Sequence, residues 1–142
     1  MNVAKWISLF LMLSVAGNVH ADSARIKECE VQADVVYQRA SMLCAVEELA
    51  RMSLARHTEI KAELEDGFEG LVGCYAETQD PDHRELFLSS MFVIKSSEFL
   101  MKADAELSNL SAPISSMAAK RALESLERDC FRLAGAKIEK QK

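Results

Sequence analysis

The sequence predicts an all-α protein: a small antiparallel four-helix bundle, its second helix kinked or short, stapled by two disulfides and preceded by a cleaved signal peptide. Three observations predict it. Residues 1–21 have the zoned composition of an export signal, apolar residues recur at helical spacing through the rest, and all four cysteines fall after the signal. No repeat, low-complexity tract or alternating strand pattern competes.

The export segment comes first. Lys5 supplies a basic start, Trp6 to Ala16 an unbroken apolar core, and Val19-His20-Ala21 a small-residue tail. Eleven apolar residues are too few to span a bilayer, which needs about 20. Cleavage is expected after Ala21, with Asp22 as the mature start and a cut after Ala16 as the alternative. No later segment is suited to crossing a membrane, so no stable insertion is expected once the signal is removed. The address is a bacterial periplasm or the secreted space.

The mature chain, residues 22–142, is long enough for one domain and too short for two. With Lys5 gone, 16 basic residues stand against 22 acidic ones, a net charge near −6. Nucleic-acid binding is disfavoured, because neutralising phosphates takes a basic surface.

From Asp22 to Asp66 there is neither Pro nor Gly, and Ile26, Cys29, Ala33, Val36, Ala40, Leu43, Ala50 and Leu54 recur at threes and fours. A second stripe of Val35, Met42 and Leu49 widens the apolar face. That segment exceeds an ordinary helix, so a turn is expected near Arg56-His57-Thr58, with Thr58 capping a second helix. The second helix carries Ile60, Leu64, Phe68, Leu71 and Tyr75, and also Gly67, Gly70 and Gly73. These glycines imply either close approach of a neighbour or a fresh start at the capping box Asp66-Gly67-Phe68-Glu69; a kink is the expectation.

Asp80 and Pro81 in "TQDPDH" mark the cap and first residue of a third helix, running to about Asn109. Leu86, Val93, Leu100 and Leu107 repeat every seven residues, with Phe92 and Phe99 beside them and Ser89, Ser96 and Ala103 as small complements. "SNLSAP" makes a loop and contains the glycosylation sequon Asn109-Leu110-Ser111. A fourth helix follows from Ile114 to Ile138, on Ala119, Leu123, Leu126, Cys130 and Leu133, ending among Lys137, Lys140 and Lys142.

Cys29, Cys44, Cys74 and Cys130 read as two disulfides in an oxidising compartment. No CxxC or CxxCH occurs to suggest zinc, a redox centre or haem, and no metal or cofactor is expected. Helical geometry selects among pairings. Cys29 and Cys44 on one helix would lie about 22 Å apart, beyond the ~7 Å reach of a bridge. A Cys44–Cys74 hairpin is centred on residue 59, inside the expected turn, whereas Cys29–Cys74 would turn the chain near Met52, where nothing breaks the helix. First and last helices with flush ends near residues 24 and 138 favour Cys29–Cys130 over Cys44–Cys130, which is displaced by about 18 Å. The expected pairs are therefore Cys44–Cys74 and Cys29–Cys130.

No catalytic motif stands out. His57 and His83 are distant in sequence, no GxSxG elbow is present, and Asp80, Asp82 and His83 read as helix capping rather than metal ligands. One uneven feature remains. Between Glu59 and Glu85 nine carboxylates (Glu59, Glu63, Glu65, Asp66, Glu69, Glu77, Asp80, Asp82, Glu85) face Lys61 and Arg84, a patch suited to steering a basic protein partner. The expectation is a non-enzymatic exported protein that binds a protein partner, as an immunity protein or an inhibitor of a periplasmic toxin or cell-wall hydrolase would. The alternative is a carrier of a small apolar ligand within the bundle, suggested by five methionines after the signal and a phenylalanine-rich third helix.

Overall fold

A computed structural model of the protein describes residues 23–107 and 113–137. Residues 1–21, expected to be an export signal, together with Asp22, the sequon Asn109-Leu110-Ser111, and Ile138, Lys140 and Lys142 lie outside the described residues. The described chain is all helical: α1 (Ser23–Met42), α2 (Val46–Arg51), α3 (Leu54–Thr78), α4 (Pro81–Leu107) and α5 (Pro113–Gly135). Two disulfides cross-link it.

The long apolar segment expected as one helix breaks twice. α1 buries Cys29, Ala33, Val36 and Ala40 on one face, then tightens into three-residue hydrogen bonds, from Leu43 N–H to Ala40 and from Cys44 N–H to Ser41. After the six residues of α2 the chain turns at Met52 and Ser53. The Ser53 hydroxyl accepts from the Arg56 N–H at 3.1 Å and caps α3. The turn expected at Arg56-His57-Thr58 is thus displaced: Thr58 lies inside α3, its hydroxyl donating to the Leu54 carbonyl. The second stripe dissolves as well. Val35 faces solvent, Met42 is half-buried, and Leu49 belongs to α2.

α3 is neither short nor restarted at Asp66; it runs 25 residues through all three glycines. Contact with α1 explains two of them. A Cβ on Gly67 would stand 2.7 Å from Val36 Cγ2, and one on Gly70 2.6 Å from the Gln32 side chain. The Gln32 amide donates to the Gly67 carbonyl across that contact at 3.3 Å. Gly67→Ala should therefore lower stability by about 1 kcal/mol, overpacking of roughly 1 to 3 kcal/mol exceeding a helix-propensity gain of about 1. Gly73→Ala should do the opposite and gain up to about 1 kcal/mol, because its Cβ meets only the flexible end of Arg25 at 3.4 Å. Urea midpoints of the two variants, compared with the parent, check both signs.

The same contact sets the sulfur pairing. Cys29–Cys74, Arg25–Glu77, Arg39–Glu63 and the Val36 approach to Gly67 are all centred on residues 51 and 52. The expected Cys44–Cys74 and Cys29–Cys130 pairs are replaced by Cys29–Cys74 and Cys44–Cys130, with Cα separations of 5.6 and 5.8 Å. The first correction follows from the Ser53 cap, which turns the hairpin near Met52. The second follows from where α5 takes its register. α5 packs along α4, with Ser96 bonded to Asp129 and Glu85 to Arg132 at 2.8 Å, and it touches α1 only sparingly. It therefore slides along α1 instead of lying flush with it. Cys130 meets Cys44, and the Lys137 ammonium sits 5.3 Å over the Tyr37 ring, about three-quarters of the way along α1.

The start of α4 follows expectation. Asp80 accepts from the Asp82 N–H at 2.9 Å and Pro81 opens the helix, while Gln79 closes α3 in the left-handed conformation at φ 55°. The core lies among α1, α3 and α4. Phe68 and Phe87 meet there edge to face, with ring centres 5.0 Å apart, among Leu64, Leu71, Leu86 and Ile94. Leu126 and Leu133 of α5 close its flank. Phe92 and Phe99 of α4 remain exposed, and the Arg132 guanidinium stacks 5.2 Å over Phe92.

Candidate functional site

The nine carboxylates do not form one free surface. Glu63 is ion-paired with Arg39 at 3.0 Å, Glu77 with Arg25 at 2.6 Å, Glu85 with Arg132 at 2.8 Å, and Glu59 with Arg56 at 3.1 Å. Those residues of α3 and α4 face basic side chains of the chain's own helices. Asp80 is occupied as a cap, with Asp82 exposed in the first turn of α4. Glu65, Asp66 and Glu69 remain outside any ion pair among the described residues, with Asp66 and Glu69 exposed. The unpaired carboxylates of α3 thus contract to this short run, with Asp82 standing apart at the start of α4.

The histidines are buried. His57 lies in phase with Ile60 and Leu64 on the inner face of α3 and is 1% exposed; His83 is 4% exposed at the start of α4. His57 Nε2 is 2.9 Å from the Ser97 hydroxyl, which donates to the Ile94 carbonyl at 3.0 Å. Since the hydroxyl has one proton and gives it to Ile94, its oxygen accepts from Nε2–H. A nucleophilic serine would require the opposite polarity, with the imidazole accepting. His83 is held likewise: the Thr78 hydroxyl donates to the Cys74 carbonyl at 2.8 Å and lies 3.3 Å from Nδ1, which donates to it. Among the described residues no three His, Cys, Asp or Glu side chains gather as metal ligands.

Burial lowers the pKa of both imidazoles below the usual 6.5, against the opposing pull of Glu98 on His57 and of Asp80 and Asp82 on His83. Glu98 is depressed too: burial raises its pKa, but Lys61 at 3.3 Å and Lys102 at 3.4 Å outweigh it. The consequence for stability has a definite sign. Between the depressed folded pKa and 6.5 the unfolded chain binds protons the folded one refuses, so stability is full above pH 6.5 and falls as pH drops below it. The depressed Glu98 adds a further loss from about pH 4.5 downward. Urea unfolding at pH 7.5 and 5 should show this slope in the parent chain, and His57→Gln should flatten it by up to one proton.

A concave feature stands away from all of these. Val46, Leu49 and Ala50 of α2, Leu100 and Met101 of α4, and Ala119, Lys120 and Leu123 of α5 line a cavity of about 330 Å³ open on one side. Among the described residues its walls are apolar apart from the exposed Lys120. The Cys44–Cys130 bridge braces two of the walls, since Cys44 precedes α2 directly and Cys130 lies two turns beyond Leu123 on α5. This cleft was hidden in the sequence because α2 itself was not expected there.

Fold and surface together define a class: an all-helical, doubly disulfide-linked protein with an apolar cleft. Comparison with protein families, with curated proteins and with solved structures gave no match.

Proposed function

We propose that this protein is a non-enzymatic exported binder of a protein partner, acting as an immunity protein or as an inhibitor of a periplasmic toxin or cell-wall hydrolase. In this reading residues 1–21 are a cleaved signal, the four long helices form a bundle with α2 as an inserted turn, and the two disulfides stiffen it for docking. A stiff body loses little conformational freedom on binding. The observation that carries the reading is the run Glu65, Asp66 and Glu69, which keeps its charge free on α3 while the neighbouring carboxylates are spent internally. The hydroxyl polarity at Ser97 supports the non-enzymatic part.

The test is affinity capture from a native envelope extract by the oxidised protein, beside a variant with Glu65→Lys, Asp66→Lys and Glu69→Lys. The wild type should retain a basic protein, with an association rate at least tenfold above that of the variant at low salt and a difference that shrinks at ~1 M salt. No retained protein, or equal rates at low salt, would overturn it.

The cleft favours a second reading, carriage of a small apolar ligand. The interior among α1, α3 and α4 is filled by Phe68, Phe87 and their neighbours, so such a ligand would sit at the side of the fold rather than along its axis.

A further inference from the structure

We infer that the cleft between α2, α4 and α5 binds a single-chain amphiphile with an anionic head, such as a free fatty acid. The inference rests on the second reading above and is independent of the acidic run on α3. Three features of the cleft carry it. Its walls come from three helices and are built of Val46, Leu49, Leu100, Met101 and Leu123, a lining with affinity for hydrocarbon and little for a polar solute. Its volume, about 330 Å³, is at the low end of small-molecule sites, which run from roughly 300 to 1,000 Å³. One acyl chain suits that space; a docking helix, about 10 Å across, and a two-chain lipid do not.

The third feature is charge. Among the described residues Lys120 is the one ionised residue in the lining, and it is exposed while Leu49 is buried. A long aliphatic stem along the wall with its ammonium in water is the arrangement that meets a carboxylate head while the chain descends. The carboxylates of α2, Glu47 and Glu48, are exposed and stand outside the lining. Met101 adds an adaptable wall, able to follow chains of somewhat different length.

The experiment is isothermal titration of the oxidised full-length mature protein with sodium dodecanoate below its micelle concentration. Dodecyltrimethylammonium is the contrasting probe. Saturable binding of one dodecanoate, at least tenfold tighter than the cationic probe, is expected. Lys120→Glu should reverse that preference, and Ala50→Phe, an exposed position at the cleft, should abolish binding with an unchanged thermal melt. A second filling variant, Ala119→Phe, repeats the test from the α5 wall. No saturable binding, or binding equal in both filling variants and the parent, would overturn the assignment. Equal affinity for the two probes would overturn the anionic head. Sedimentation with phosphatidylglycerol vesicles separates the sources of the chain: parent protein carried down with vesicles and released by Ala50→Phe would make the occupant a membrane and refute a free ligand. Charge reversal on α3 should leave all these readings in place, so loss of the protein partner and loss of the amphiphile are separate results.

Discussion

Replacing Cys44 and Cys130 together by alanine should lower the unfolding free energy of the oxidised protein by about 4 to 5 kcal/mol. The bridge spans 86 residues, and the chain entropy it removes from the unfolded state grows with the logarithm of that length. The second bridge hardly diminishes the effect. With Cys29–Cys74 intact, the shortest path from Cys44 to Cys130 passes through it and is still about 71 residues long, which alters the logarithm by only ~0.2 kcal/mol. Against a stability of typically 5 to 15 kcal/mol for a domain of this size, the variant should be marginal at 37 °C. Urea unfolding without reductant measures the loss, and a deficit under about 2 kcal/mol would contradict it. Hydrogen exchange should locate the loosening in α2 and the facing turn of α5, the elements this bridge holds together.

Phe68→Ala should cost about 3 to 5 kcal/mol. Phe68 is 0% exposed at the middle of α3, set against Phe87 of α4, and the close approach of α1 at neighbouring Gly67 leaves little slack for collapse around a missing ring. Part of the cost belongs to the pair with Phe87, whose edge-to-face geometry is worth about 0.5 to 1.5 kcal/mol beyond area. A double-mutant cycle with Phe87→Ala isolates that share: the double variant should lose less than the two single losses combined, by about 1 kcal/mol. Additive losses would mean that the rings contribute only by filling space.

The class of fold was legible because its evidence is local. Asp80-Pro81 marks the start of α4 by its own chemistry, and the three-four spacing of Ile60, Leu64, Phe68 and Leu71 marks the inner face of α3 wherever that helix lies. The path of the chain was not legible between residues 42 and 54. No Gly or Pro marks the end of α1, and Ser53 caps α3 without an unusual neighbour. A continuous apolar rhythm through Leu43 and Leu49 therefore read as one helix. That single misplacement moved the turn, and with it the partner of Cys74; the partner of Cys130 was hidden separately, in the register that α5 takes along α4. The burial of His57 did leave a signal, its phase with Ile60 and Leu64, outweighed by the expected turn. The fate of the acidic patch had none, since Arg25 and Arg39 reach Glu77 and Glu63 only once the α1–α3 register is known.

The order of the bridges along the chain bears on how this molecule is made. The first cysteine pairs with the third and the second with the fourth, so each native bond passes over another thiol. Under the export proposed above, the chain would emerge vectorially from a translocation pore, and Cys29 and Cys44 would meet an oxidant before either true mate had appeared. Oxidation in order of arrival yields the mismatched neighbour pair first, and maturation has to proceed by thiol exchange, the province of an isomerase rather than of an oxidase alone.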